Sequence, residues 1–424
     1  MIGALAALLL FAQPSASQLS VRDTAAGSHL TVYLMTMGPG DQVWEKFGHN
    51  AIWIHDAAAN TNLAYHWGLF DFADEDFMSN FLKGDMRYSM GGFDAVETLD
   101  FYRRSNRTVW AQELEMTAPQ KQRLLEFVTW NLRPENRFYS YDYYRDNCST
   151  RIRDALDAAL GGAIKRQSGD LARVSGAQSS SYRFHTRRLT QDDWPVYTGT
   201  LLGLGQPVDN AITTWEEMFL PVQMMHALRP MRVAHIDGQS RALVRSERVL
   251  FQSARTAESG TIGRSILGFA LLAAGIVLVC LLLWAVQRRS PVPLGPVVVA
   301  ATWSLVMGLA GTGLVSLWTL TNHVYSYRNE NVLQATPISL LLTVLLLRLI
   351  WSARGKTRAV LEGRARTAFI VSLIILALSF IGALIQALPG VDQVNGEIIA
   401  LALPLHAAVA GLLLLISRNA RALR

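Results

Sequence analysis

Five apolar runs occupy almost all of the sequence after Arg264, at about 265–286, 293–320, 335–351, 367–388 and 397–416. Each approaches the roughly 20 residues that an α-helix needs to cross the hydrocarbon core of a bilayer. In lipid no water satisfies a backbone N–H or C=O, so such runs fold as helices. Residues 261–424 are therefore expected to form an all-α bundle of five transmembrane helices, and the rest must fold in water. Charge sets the orientation. Arg288 and Arg289 follow the first run, and Arg354, Lys356, Arg358, Arg364 and Arg366 lie between the third and fourth. Arg418, Arg421 and Arg424 follow the fifth. Positive loops stay in the cytoplasm, which places the residues before 265 outside.

The start of the chain agrees. Met1 to Phe11 is apolar and is followed by Gln-Pro-Ser-Ala-Ser, the pattern that ends a secretory signal peptide, although the usual opening basic residues are missing. Residues 1–17 read as a signal peptide cleaved near Ala16 or Ser17, or as a short N-terminal anchor. Residues 18–260 are then an exported domain. The net charge is +6, but much of the basic excess sits between apolar runs, so no nucleic-acid partner is expected.

Within the exported part, residues 31–35, 50–54 and 63–67 read as strands, the last two joined by a hairpin loop over 56–62. Residues 100–107 and 119–132 read as helices, the second ended by Pro134. Another helix opens near Cys148 and runs to Leu160, with Ile152, Ala155, Leu156 and Ala159 on one face, until Gly161-Gly162 stops it. Residues 163–181 read as a polar loop and 182–230 as mostly helical, with the apolar stretch 218–222 packed on the catalytic layer. Residues 232–251 read as a hairpin around Asp237-Gly238.

Cysteine usage is the sharpest chemical signal. There are two cysteines, and Cys280 lies inside an apolar run, so the exported part holds the single thiol of Cys148 and no internal disulfide. An unpaired thiol in an exported domain reads as reactive. Its polar neighbours Asp146, Asn147 and Ser149 would make a poor core site. A cysteine attacks as thiolate, and a helix N-terminus beside a histidine lowers its pKa. The backbone N–H of Cys148 would then face a developing oxyanion. His49, which opens an apolar run, is the candidate base, and His66 on the neighbouring strand would orient it through its other ring nitrogen. A zinc site from His49, His66 and Cys148 fits no common ligand spacing, so neither a metal nor another cofactor is expected. His185 and His226 read as structural, and His406 as an interhelix contact. Arg145, Arg151 and Arg153 flank the nucleophile as candidates to hold a lipid phosphate, and helical periodicity lets at most one or two face the site.

The segments Phe47-Gly-His-Asn-Ala-Ile-Trp-Ile54, Tyr65-His-Trp-Gly-Leu-Phe-Asp-Phe72, Phe81-Leu-Lys-Gly84 and Tyr141-Asp-Tyr-Tyr-Arg-Asp-Asn-Cys-Ser-Thr-Arg-Ile-Arg-Asp154 resemble the Lnb family of membrane-bound bacterial lipoprotein N-acyltransferases. The resemblance covers most of residues 30–230. It places the family's histidine and cysteine on His49 and Cys148. The family's Tyr-Asn-Tyr-Gly element stands here as Tyr65-His-Trp-Gly68, so His66 occupies a position where asparagine is common. The pair Asn147-Cys148 is also similar to that of lecithin:retinol acyltransferase.

What the resemblance implies is an α+β domain with a papain-like thiol enzyme fold in circularly permuted order, a small antiparallel sheet against the cysteine helix. A weaker match at 322–333 would put His323 at the floor of the site, and Asn147, Arg145 and Arg151 are further substrate-binding candidates. The activity implied moves an acyl chain from a membrane phospholipid, through a Cys148 thioester, to the α-amine of a diacylglyceryl-cysteine lipoprotein. The location implied is the bacterial inner (cytoplasmic) membrane with the catalytic domain on the periplasmic side. Two competitors stand beside it. One is a membrane-anchored cysteine peptidase or amidase acting on cell-wall peptide, for which one span would suffice. The other is a scaffold without catalysis.

Overall fold

The computed structural model describes residues 25–169, 174–175, 178–353, 357–391 and 393–422. The candidate signal segment 1–17, Arg354, Lys356 and Arg424 lie outside them.

Short runs of buried, mostly apolar residues form the strands β1 (Leu30–Met37), β2 (His49–Asp56) and β3 (Thr61–Leu69). The β2–β3 hairpin turns where Asp56 Oδ1 accepts the N–H groups of Ala58 and Ala59, both at 2.9 Å, and Asn60 takes a left-handed φ of 50°. Next come α1 (Phe77–Lys83), β4 (Arg87–Asp94), α2 (Ala95–Arg104), β5 (Val109–Leu114), α3 (Ala118–Asn131) and β6 (Phe138–Ser140). The cysteine helix α4 (Cys148–Ala159) is followed by α5 (Ala163–Ser168) and the two-residue strands β7 (Val174–Ser175) and β8 (Gln178–Ser179). Then come α6 (Tyr182–Thr190), α7 (Trp194–Gly203), α8 (Thr214–Glu217) and α9 (Pro221–Leu228). Strands β9 (Arg232–Ala234), β10 (Ser240–Ala242) and β11 (Val244–Phe251) close the exported part.

The main sheet has seven strands in the order β11-β5-β1-β2-β3-β4-β6, each pair antiparallel. It is larger than the small sheet expected, and it carries helices on both faces. On one face Val32, Leu34, Ile52 and Trp67 pack with Leu124 and Val128 of α3, Ile152 and Leu156 of α4, and Met224 of α9. Ile152 and Leu156 are fully buried, and truncating either to Ala costs about 2–5 kcal/mol. On the other face Met35, Met37, Ala51 and Ala64 meet Ala95 and Tyr102 of α2.

Several elements differ from the sequence reading. The helix expected over 100–107 begins at Ala95, because Asp94 caps it by accepting from Val96 N and Glu97 N at 2.8 and 3.1 Å. It ends at Arg104, so Arg107 stands beyond it. The stretch expected to be a loop from 163 holds α5, whose first N–H groups at Ile164 and Lys165 donate to Asp157 Oδ1. The 232–251 hairpin closes as β9–β10, while β11 leaves it to pair with β5.

Five helices follow: α10 (Ile266–Gln287), α11 (Leu294–Leu320), α12 (Ile338–Ser352), α13 (Arg358–Leu384) and α14 (Gly396–Ala422). Each belongs to a segment long and apolar enough to cross a membrane. The chain is thus a membrane protein in which an α+β extracytoplasmic domain precedes a helical bundle. Gly311 of α11 lets the α11–α12 loop in close, since a Cβ there would lie 2.1 Å from Ala335 O. His406 makes one polar interhelix contact, accepting at Nδ1 from Trp303 Nε1 of α11 at 3.4 Å, and its Nε2 meets Gln334 O of the α11–α12 connection at 2.9 Å.

The two parts are joined through the loop after α11. Tyr325 donates its hydroxyl to Asp142 Oδ1 at 2.7 Å, and Gly205 N donates to Tyr325 O at 2.8 Å. Asn329 and Asn331 donate to the carbonyls of Leu202 and Leu201 at 2.8 and 2.9 Å, and Arg187 pairs with Glu397 at the top of α14.

Candidate active site

Cys148 is the first residue of α4, and the sequence around it exists to hold that turn in place. Asn147 is the N-cap: its Oδ1 accepts from Ser149 N and Thr150 N at 2.9 and 3.0 Å. Its Nδ2 donates to the carbonyls of Tyr143 and Phe219, both at 3.0 Å. Ser149 donates to Met218 O at 2.7 Å and accepts from Asn50 Nδ2 at 3.0 Å. The turn is therefore fixed to β2, to the 218–219 stretch and to the loop before α4. The Cys148 N–H belongs to the first helical turn, whose donors have no intrahelical partner.

Two histidines sit at the same end of the sheet. His49 opens β2 and His66 lies opposite Ala51 on β3, so their side chains are diagonal neighbours on one face. His49 Nε2 is 3.0 Å from His66 Nδ1. The ring planes lie within 7° and the centroids 5.2 Å apart, so the imidazoles meet edge to edge rather than face to face. That contact engages Nε2 of His49 and leaves Nδ1 as its other ring nitrogen. Gly68, at φ +84° next to the last residue of β3, lies against Cys148, and a Cβ there would lie 3.3 Å from Cys148 Cβ. No side chain other than glycine leaves that approach open without strain.

The electrostatics differ from expectation. The helix start and the histidine were expected to lower the Cys148 pKa. Burial outweighs them and pushes the thiol up to about 11, against the opposing pull of the Asn50 and Ser149 N–H groups and the Arg107 guanidinium. Burial likewise holds His66 down at about 4. His49 is driven well below the usual imidazole range by burial, then by His66 and Arg107. The resting site at neutral pH is a neutral thiol beside two neutral imidazoles, suited to proton transfer during attack rather than to a standing ion pair.

Residues 17–187 match the family model described as the Lnb N-terminal periplasmic domain. The chain carries an Lnb-type periplasmic domain. Comparison with curated proteins and with solved structures gives no match.

The other residues singled out in the sequence of the Lnb-type domain take different places. Asn147, expected to touch substrate, has both amide groups engaged in holding α4 and the 218–219 stretch. Arg151 pairs with Asp146 through both nitrogens and lies 4.2 Å over the Tyr139 ring. Arg153 donates to Asp154 and to Trp215 O and stacks 4.0 Å over Trp215, away from the thiol. Arg145 is exposed beside Tyr182 and Tyr325. His323 does not reach Cys148 directly. Its Nε2 meets Phe81 O at 2.8 Å, and its ring stacks on Tyr143 with centroids 6.2 Å apart. Among the described residues no group of three or more His, Cys, Asp or Glu side chains is arranged to hold a metal ion. His185 is buried between Ser180, Glu217 and Arg188, as a structural residue would be.

Sequence reasoning missed Tyr102 and Arg107. The Tyr102 ring lies 6.4 Å from that of His49, and the Arg107 guanidinium sits 4.9 Å from the centre of the Tyr102 ring. Arg107 is 4% exposed, donating Nε to Gly38 O at 2.8 Å and Nη1 to Glu45 at 3.3 Å. The available signal was slight: an arginine between a helix and an apolar strand.

Proposed function

We propose that this chain is a lipoprotein N-acyltransferase of the bacterial inner membrane. The observation that carries the reading is Cys148 at the start of α4 beside the His49–His66 pair, on a domain docked to five membrane helices. A cysteine-headed helix packed on an antiparallel sheet, with the histidines on β2 and β3, also supports a papain-like arrangement in permuted order.

In the first step the Cys148 sulfur attacks an ester carbonyl of a phospholipid while His49 Nδ1 takes the thiol proton. The oxyanion forms at the α4 start, facing the Cys148 N–H. The carbon–oxygen bond then breaks, His49 returns the proton to the leaving alkoxide, and a lysophospholipid departs from a Cys148 thioester. In the second step the α-amine of a diacylglyceryl-cysteine attacks the thioester. His49 accepts the amine proton and passes it to the departing thiolate, leaving an amide and the free enzyme. Both substrates live in the bilayer, which explains why such a site would be fixed to a membrane bundle.

The test mixes the full-length protein in detergent with phospholipid and a synthetic diacylated lipopeptide. An acyl-sized mass gain on the lipopeptide N-terminus, absent with Cys148→Ala, is expected. Gain with folded Cys148→Ala would refute the thiol route.

A further inference from the structure

Between β3 and β4 the chain leaves the sheet and builds a small apolar promontory. Its helix α1 has seven residues, four of them Phe77, Met78, Phe81 and Leu82, and none is buried. Met78 and Leu82 are 58% and 63% exposed, and Phe72 just before the helix is 59% exposed. A helix this short has no stability of its own in water, and bare apolar surface on it is unfavourable.

Its position says what covers it. Asn322 N donates to Lys83 O at 2.7 Å, Asn322 Nδ2 to Asp85 at 2.7 Å, and His323 Nε2 meets Phe81 O at 2.8 Å. These partners follow closely on Leu320, the last residue of the membrane helix α11, and Trp318 near that end of the helix is exposed, as aromatic residues that anchor at a bilayer interface are. The end of α1 is thus stapled to the outer mouth of a membrane span. The exposed acids Asp74, Glu75 and Asp76 precede the helix and Lys83 ends it, so its exposed apolar surface is that of Met78, Phe81 and Leu82.

From α1 a file of rings runs inward. Phe81–Phe77, Phe77–Phe70, Phe70–Tyr88 and Tyr88–Tyr141 have centroids 6.3, 5.7, 5.2 and 4.2 Å apart. Tyr141 reaches within 3.7 Å of the Cβ position at Gly68, beside Cys148.

We propose that α1 dips into the outer leaflet and that the ring file from Phe81 to Tyr141 binds the acyl chain of a bilayer phospholipid, leading it to Cys148. The membrane contact stands on the placement of α1 alone, and the acyl-chain assignment rests on the acyltransferase reading. Binding would draw on area: each ring withdrawn from water against a chain adds favourable burial. The rings tolerate any chain that is long and apolar, so selection at this lane is by length rather than by headgroup.

Two measurements separate the parts. Met78→Cys and Leu82→Cys, made with Cys148→Ser and Cys280→Ser, carry spin labels in the full chain reconstituted in phosphatidylcholine vesicles. Oxygen is expected to outcompete a water-soluble nickel chelate in relaxing both labels, and the reverse at Ala58→Cys in the β2–β3 turn, the opposite end of those strands from the site. Labels at 78 and 82 that behave like 58 would overturn the membrane contact, whatever the chemistry. In the second, Phe77→Ser is expected to lower thioester loading from long-chain phospholipid about tenfold. Loading from an acetyl ester and alkylation by iodoacetamide should stay within about twofold. Equal loss with both donors would overturn the lane. If the unmodified protein loads neither donor, the acyltransferase reading falls while the spin-label result still decides the membrane contact.

Discussion

His49 Nε2 and His66 Nδ1 lie 3.0 Å apart with their rings nearly coplanar, a contact that leaves Nδ1 as the other ring nitrogen of His49. One of the two nitrogens must carry the proton. If His49 donates, its Nδ1 is bare and able to take the Cys148 proton, and His66 carries its own hydrogen on Nε2. That Nε2 is buried without a hydrogen-bond partner among the described residues, while the Phe93 ring lies edge-on at 5.6 Å. The productive tautomer therefore leaves an apolar-walled N–H on His66, a weaker arrangement than an amide oxygen would give.

A first prediction follows for position 66. His66→Asn keeps an acceptor for His49 Nε2–H and should retain turnover within about tenfold. His66→Leu removes the acceptor and should lower turnover about a hundredfold or more while leaving Cys148 alkylation measurable. Equal activity in both variants would show that the pair does not orient His49.

Acid should destabilise the domain through the same residue. Buried His66 has its folded-state pKa lowered to about 4. Between pH 6.5 and about 4 the unfolded chain binds more protons, so stability is lost as the pH falls through that window. The His66 contribution is about 3 kcal/mol at most. Thermal unfolding of the detergent-solubilised protein at pH 7.5 and 5 should show a drop that is smaller in His66→Asn. An unchanged drop would place the acid sensitivity elsewhere.

The thiol gives a second pH signature. Because burial pushes Cys148 up to about 11, its alkylation by iodoacetamide should keep rising with pH and show no plateau below pH 9. A plateau near neutrality would instead reveal a thiolate–imidazolium pair.

Arg107 should tune both groups at once. Its charge pulls the pKa values of Cys148 and His49 down. Arg107→Met should shift both limbs of the pH–activity profile upward, with Arg107→Lys restoring much of the original position. A uniform loss of activity without any shift would make Arg107 a packing residue only.

How much of this was legible in the sequence depends on how local the cause is. The start of α4 could be read because Asn147, the apolar spacing to Ala159 and the glycine pair after it are all local signals. β1, β2 and β3 were legible as short strand-like runs, and the five spans from length. β4 was not: its Gly91 and Gly92 carry no strand signal, and its partners β3 and β6 supply the pairing. Nor was the Tyr102–Arg107 cover over His49, which arises from the far face of the sheet. The direction of the thiol pKa was misread for the same reason, since desolvation depends on what packs around Cys148 and not on its neighbours in sequence.

The most direct measurement is the intact mass of the full-length protein after incubation with phospholipid and no acceptor. The account predicts one acyl-sized adduct on Cys148, released by hydroxylamine and discharged when diacylated lipopeptide is added. Acylation of the lipopeptide without such an adduct, and undiminished in Cys148→Ala, would contradict it.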